Sequence, residues 1–122
     1  MRLLVADDNS DMRQSMRLLL ERAGHEVELA ADGAKALEMQ RSHACDVLVT
    51  DIFMGESDGL DAIKNFRREF PNVRIVAMSG GRGPIRGESY LTTATVIGAD
   101  ATLYKPFEVG QLLDMLKHFE RD

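Results

Sequence analysis

Apolar positions along this chain follow two rhythms, and together they predict ten elements. Short continuous runs of apolar and β-branched residues, Arg2-Leu3-Leu4-Val5-Ala6 and Val47-Leu48-Val49-Thr50-Asp51, have the composition of strands buried on both faces. Val73-Arg74-Ile75-Val76-Ala77-Met78 and Ala101-Thr102-Leu103-Tyr104 give two more strands. Glu26-Val27-Glu28-Leu29-Ala30 alternates instead, which suits an edge strand with one more exposed face. Helical spacing fills the intervals. Met12, Met16, Leu19, Leu20 and Ala23 recur at one face behind a cap at Asn9, Ser10 or Asp11, and Gly24 ends that helix. Asp32-Gly33 opens a second helix, carrying Ala34 and Leu37, to about Arg41. A third, from about Gly59 to Phe70, sets Leu60, Ile63 and Phe66 on one side and Lys64, Arg67 and Arg68 on the other, before Pro71-Asn72 terminates it. The fourth runs from Glu88 or Ser89 to Ile97 and stops at Gly98. The fifth, from about Glu108 to Glu120, lines up Val109, Leu112, Leu113, Leu116 and Phe119. Between Gly80 and Gly87, four glycines and a proline with Arg82 and Arg86 predict a mobile, basic loop that matches no phosphate-binding glycine pattern.

Five strands alternating with five helices predict a doubly wound, mostly parallel α/β sheet with helices on both faces. Right-handed crossovers then bring the carboxyl ends of all the strands to one edge, where such sheets bind ligands. Asp7 and Asp8 follow the first strand there, Asp51 ends the third, Ser79 ends the fourth and Lys105 follows the fifth. Singly, each has an ordinary reading. A strand-end Asp caps a turn, Ser79 is a turn residue and Lys105 is a solvated charge. Five such residues at one edge need a common explanation.

Composition narrows the classes. At 122 residues, 44% hydrophobic and 29% charged, the chain is the size and make-up of one globular domain, expected over residues 1–122. A net charge of -5 argues against non-specific nucleic-acid binding, and no apolar run is long enough for membrane insertion. With no signal-peptide layout, the expected location is cytoplasmic. The single cysteine, Cys45, reads as a small buried hydrophobe, and His25, His43 and His118 are scattered without ligand spacing.

Electrostatics turns the acidic edge into a chemical expectation. Carboxylates a few ångströms apart repel by roughly 4 kcal/mol per pair at an effective dielectric of about 20, so a bare triad needs compensating cations. Three carboxylates and one ammonium sum to -2, the charge that one Mg²⁺ cancels, and Mg²⁺ favours one or two carboxylates completed by water and phosphate. One carboxylate is then placed to act as a nucleophile and form an aspartyl phosphate, with the lysine and the Ser79 hydroxyl on the transferred oxygens.

These residues carry a resemblance. Val5-Ala6-Asp7-Asp8-Asn9-Ser10-Asp11-Met12-Arg13, Asp51 with Met54 and Gly59, Ser79-Gly80 and Lys105-Pro106-Phe107, in this order and spacing, resemble the response-regulator receiver domains of two-component signalling, in particular the stand-alone, chemotaxis-regulator-like kind. The resemblance spans the chain from Leu3 to the last helix. It implies a flavodoxin-like sheet of strand order 2-1-3-4-5 and a cis Lys105-Pro106 bond. It implies Asp51 as phosphoacceptor and Asp8 and Asp51 as direct Mg²⁺ ligands, with Asp7 acting through water and the Phe53 backbone carbonyl as a further ligand. Ser79 becomes the switch hydroxyl and Lys105 the phosphoryl contact. A histidine kinase or histidine phosphotransfer protein is the implied donor, and the face of helix four, strand five and helix five is the implied contact for a downstream protein target.

Several positions depart from that family's pattern. Gly55 stands where proline is usual, which loosens the loop after the acceptor. Thr102 stands where an aromatic usually swings inward on activation. Phe53 and Gly81 flank the path of an attacking water without side chains able to orient it, so self-dephosphorylation is expected to be slow. An aspartyl-phosphate-forming phosphatase would want a second acid where Phe53 stands, and a flavin site would want hydroxyls where Asp7 and Asp8 stand. A receiver-like docking module that is never phosphorylated is a further alternative. Arg13 and Arg17, one turn apart, suggest a docking face for the donor. Ending just after the fifth helix, the chain is expected to act by protein contact rather than through an appended DNA-binding or catalytic domain.

Overall fold

The structure, a computed structural model, describes residues 1–54, 57–82 and 85–121, with side chains outside 54–58, 81–90 and 121. Five strands, β1 (Arg2–Ala6), β2 (Glu26–Ala30), β3 (Val47–Asp51), β4 (Arg74–Ser79) and β5 (Ala101–Tyr104), form one sheet in the order β2-β1-β3-β4-β5. Every neighbouring pair in it is parallel. Helices α1 (Ser10–Arg22), α2 (Gly33–Ser42), α3 (Gly59–Glu69), α4 (Gly87–Ile97) and α5 (Val109–Arg121) complete the expected alternation. β4 begins one residue later than its composition suggested, because the Val73 N–H is taken by the Phe70 carbonyl at 3.2 Å in the preceding turn.

Local chemistry sets the helix starts. Of the three candidate caps before α1, Asn9 is the one used, its side chain accepting the Met12 N–H at 3.0 Å. Asp32 caps α2 in the same way, accepting the Lys35 N–H at 2.7 Å. At the start of α5, Glu108 and Gln111 cap reciprocally: the Glu108 N–H donates to Gln111 Oε1 and the Gln111 N–H to the Glu108 carbonyl.

Two cores follow from strand alternation. Leu4, Ala6, Leu48, Ile52, Ile75 and Ala77 pack with Ile63 and Phe66 of α3 and Leu91 and Ala94 of α4. Leu3, Val5, Val47, Val49, Val76, Met78 and Leu103 pack with Met16 and Leu20 of α1 and Leu112 and Leu116 of α5. All five residues of β3 are buried, so the strand is covered on both faces as its composition required.

Several positions differ from the sequence reading. On α1 only Met16 and Leu20 are buried, while Leu19 and Ala23 are exposed. The face toward the sheet is narrower than the apolar stripe, and Leu19 instead borders an apolar hollow of about 420 Å³ with Met12, Phe107 and Val109. Arg67 does not share the solvated side of Lys64 and Arg68. Its guanidinium donates to the carbonyls of Gly98, Pro71 and Val73 and, at 2.7 Å, to the Asp100 carboxylate, which also accepts the Ile75 N–H at 2.8 Å. A residue directly after buried Phe66 lies at the rim of the buried stripe, where a long stem reaches inward. The Gly80–Gly87 segment holds a short antiparallel pair, Gly81–Arg82 with Ile85–Arg86, and α4 starts at Gly87. Its centre, and the arginine side chains expected to make it basic, lie outside the described residues.

Cys45 is buried and its thiol is pushed up to about 12 by that burial, in keeping with a packing role. Gln40 clasps its backbone, accepting the Cys45 N–H at 2.8 Å. The histidines stay apart: His43 Nδ1 stands 3.4 Å from Glu28, and His25 Nδ1 stands 3.2 Å from the terminal amine. Among the described residues no helix is long and apolar enough to cross a membrane.

Candidate functional site

Strand register decides which side chains meet at the carboxyl edge. Ala6 pairs with Thr50, Asp51 with Met78 and Ser79 with Tyr104, so Asp7, Asp51, Ser79 and Lys105 stand within one step of each other across four strands. The Lys105 N–H donates to the Ser79 carbonyl at 3.0 Å, and the following bond to Pro106 is cis, as the resemblance implied. From there Lys105 Nζ donates to Asp51 Oδ2 at 2.7 Å and to Asp7 Oδ2 at 3.3 Å. Three of the residues singled out from sequence are thus in direct contact across 98 positions of chain. Ser79 is buried beside them, and Asp8 is exposed at the rim.

Burial and charge oppose each other here. Asp7 is 1% exposed, and desolvation holds its carboxyl above the usual range. An N–H bond from Asn9 at 2.9 Å and the Lys105 ammonium act the other way, yet they do not offset the burial. For Lys105, burial by itself would lower the pKa. The hydrogen bond to Asp51 and the charges of Asp51 and Asp7 outweigh it, so the ammonium is held above its ordinary value. One ammonium does not balance this cluster.

The loop after Asp51 is shaped by close backbone contacts. The Phe53 N–H donates to Asp51 Oδ1 at 3.0 Å, the Ile52 N–H to the Met78 carbonyl at 3.0 Å and the Gly59 N–H to the Ile52 carbonyl at 2.8 Å. Phe53–Met54 pairs with Ser57–Asp58 in a short antiparallel turn of strand after Asp51. The start of α3 comes so near that a Cβ on Gly59 would collide with the Asp51 carbonyl oxygen and lie 2.6 Å from Ile52 Cα. Gly55, expected to loosen this loop, lies outside the described residues.

Arg13 and Arg17 of α1 are turned back onto their own chain. Arg13 donates to the Asp7 carbonyl at 2.7 Å, and Arg17 donates to the Val27 carbonyl at 3.1 Å and sits 3.5 Å from Glu21. The link from Arg13 to the acid pair escaped sequence reading. Its only signal is a cation six residues after Asp7, one turn past the helix cap.

The sequence matches the family described as "Response regulator receiver domain" over residues 3–117. The chain belongs to that family. Receiver domains generally serve as phosphoacceptors rather than as enzymes of the usual kind. The response regulators that contain them are phosphorylated by histidine kinases, act on downstream targets and bind Mg²⁺ at the phosphorylation site. Response regulator MprA of Mycobacterium avium is 36% identical over 117 residues, covering 96% of this chain and 50% of that protein. The receiver domain thus spans about half the length of the curated relatives it matches. Among solved structures, chemotaxis protein CheY4 of Vibrio cholerae superposes with a TM-score of 0.85 at 29% identity, covering 97% of both chains. The receiver domain of NtrX from Brucella abortus superposes at 0.87 with 28% identity, covering 96% of each. A two-component response regulator from Clostridium difficile, at 24% identity, matches in fold with a TM-score of 0.88, covering 99% of this chain and 96% of that one.

The donors present suit Mg²⁺. Among the described residues no three His, Cys, Asp or Glu side chains stand close enough to hold a metal by themselves. A hard ion that keeps several waters asks for less: one or two carboxylates, a carbonyl and a phosphate. Asp8, Asp51 and the Phe53 carbonyl supply oxygen only, the donor chemistry that a hard divalent ion prefers. Away from the edge, Thr102 lines a hollow of about 360 Å³ with Leu91, Thr92, Thr95 and Tyr104, the last 46% exposed.

Proposed function

We propose that this receiver domain is a phosphorylation-dependent switch or relay component in which Asp51 takes a phosphoryl group from a phosphohistidine on a histidine kinase or histidine phosphotransfer protein. The observation that carries the reading is the Lys105 ammonium 2.7 Å from the Asp51 carboxylate. That pairing leaves a cation at hand for the group that Asp51 would acquire. A carboxylate oxygen of Asp51 attacks phosphorus. The bond from phosphorus to the imidazole nitrogen breaks, and its electron pair stays on that nitrogen. Lys105 then passes from the carboxylate to a phosphoryl oxygen, and the Ser79 hydroxyl donates to another. Asp8, Asp51 and the Phe53 carbonyl would hold Mg²⁺, with Asp7 acting through water; the bound ion supplies charge neutralisation of the transferring oxygens. Downstream, the face of α4, β5 and α5 would present the changed state to a protein target, in the cytoplasm and without direct contact to nucleic acid or membrane. The whole activity is proposed for residues 1–122 as one receiver unit.

The test is exposure to acetyl phosphate with and without Mg²⁺, followed by peptide mass spectrometry. A single phosphoryl group on Asp51 that depends on the ion is expected, and labelling at another residue or without the ion would refute the reading. The label is also expected to persist. Phe53, half-buried against the α3 core, and Gly81 offer no side-chain group to align a hydrolytic water. Decay of the purified phosphoprotein within seconds under native conditions would contradict this.

A further inference from the structure

We infer that Arg13 is a positioning residue for the acid pair: its guanidinium sets the angle at which the chain leaves β1 and thereby aims Asp8 at the metal. The inference rests on the metal reading above and concerns a residue outside it. Asp7 is anchored at three points. Its N–H donates to the Ala30 carbonyl at 3.1 Å, its carboxylate accepts the Asn9 N–H and a bond from Lys105, and its carbonyl accepts from Arg13 at 2.7 Å. The third anchor matters for Asp8. The carbonyl oxygen of Asp7 and the nitrogen and Cα of Asp8 share one rigid peptide plane, so holding that oxygen holds the base from which the Asp8 side chain departs. Arg13 is suited to the task because it is half-buried on the first turn of α1. Its own N–H donates to the Asn9 carbonyl at 3.0 Å, and the Asn9 side chain caps the same turn. Helix start and acid pair are thus closed into one ring of hydrogen bonds. A charged donor to a carbonyl is stronger than a neutral one, and a carbonyl left without it is free to swing. Groups that orient the ligands of a metal are commonly worth about tenfold or more in its affinity.

The experiment is titration of the intact chain with Mn²⁺, read as free ion by electron paramagnetic resonance in the absence of any phosphodonor. Arg13→Ala is expected to bind Mn²⁺ about tenfold more weakly than the unaltered chain, Arg13→Lys to recover most of the loss, and Arg17→Ala to stay within about twofold. Arg17→Ala removes the same charge one turn on, where the bond goes to Val27 instead. Thermal melts are run alongside. If Arg13→Ala does not fold, Arg13→Gln against Arg13→Lys decides, with the lysine variant expected to bind tighter. Unchanged Mn²⁺ affinity in Arg13→Ala would overturn the inference, including when labelling by a kinase falls, since that result assigns Arg13 to docking. Equal loss in Arg17→Ala would overturn it too, leaving only net charge. If the unaltered chain neither binds Mn²⁺ nor is labelled at Asp51, the metal reading itself falls and the role of Arg13 with it.

Discussion

Lys105→Met is expected to slow Mg²⁺-dependent labelling of Asp51 by acetyl phosphate about 100-fold, the usual effect of removing one preorganised donor from a site of developing negative charge. Methionine keeps much of the length and apolar stem of lysine while deleting the ammonium that reaches Asp51 at 2.7 Å and Asp7 at 3.3 Å. Asp51→Asn, which removes the proposed nucleophile, sets the zero of the same assay. Initial rates at saturating Mg²⁺ give the comparison, and a rate within about threefold of the unaltered chain would rule out a phosphoryl contact for Lys105. Stability responds as well. Without the ammonium two carboxylates face each other in a mostly buried cluster. With the Lys105 side chain 23% exposed and partly screened by solvent, a loss of about 2 kcal/mol at neutral pH is expected. The sign of the pH dependence follows from the raised pKa. Lys105 binds its proton more tightly folded than unfolded, so its contribution is fully present below the ordinary lysine value of 10.5 and is lost as pH rises through the higher folded value. The stability gap between the two proteins is therefore expected to stay level from neutral pH to about 10 and to narrow above it, as read by urea unfolding at each pH.

Gly59→Ala is expected to destabilise the fold by about 3 kcal/mol and to slow labelling as well, although Gly59 touches neither phosphate nor metal in the proposed chemistry. The added methyl would meet the Asp51 carbonyl and would lie 2.6 Å and 2.7 Å from the Cα and oxygen of Ile52. Those are backbone atoms at the end of the buried β3, which cannot rotate aside as a flexible side chain can. Relief requires α3 to back away, and that breaks the Gly59 N–H bond to Ile52 and shifts the Phe53 N–H from Asp51 Oδ1. Gly110→Ala is the contrast. A Cβ there meets nothing within 4 Å, and in the first turn of α5 the change is expected to be neutral or stabilising by up to about 1 kcal/mol. Urea midpoints for the two variants separate steric conflict from helix propensity, and a Gly59→Ala protein as stable as the unaltered chain would refute the close approach.

Much of this molecule is readable from linear pattern because its strands are short, apolar and separated by capped helices. The parallel order and the meeting of Asp7, Asp51 and Lys105 follow once alternation and handedness are granted, since the sheet has one carboxyl edge and those residues occur only at strand ends. Asn9, Asp32 and Gly24 announced helix limits through local chemistry alone. The sequence by itself therefore determined the elements, the layer architecture and the set of residues at the edge. Tertiary structure decided what depends on distances between elements. Arg67 looked like a surface charge until the carbonyls of Gly98, Pro71 and Val73 were brought around it. Leu19 continued an apolar stripe wider than the face that α1 buries. Gly59 carried no hint that a helix start would press against Asp51, and Arg13 none that its guanidinium would hold the Asp7 carbonyl. Periodicity reports which way a side chain faces. Only packing sets how near two backbones come and which polar atoms a long side chain can reach.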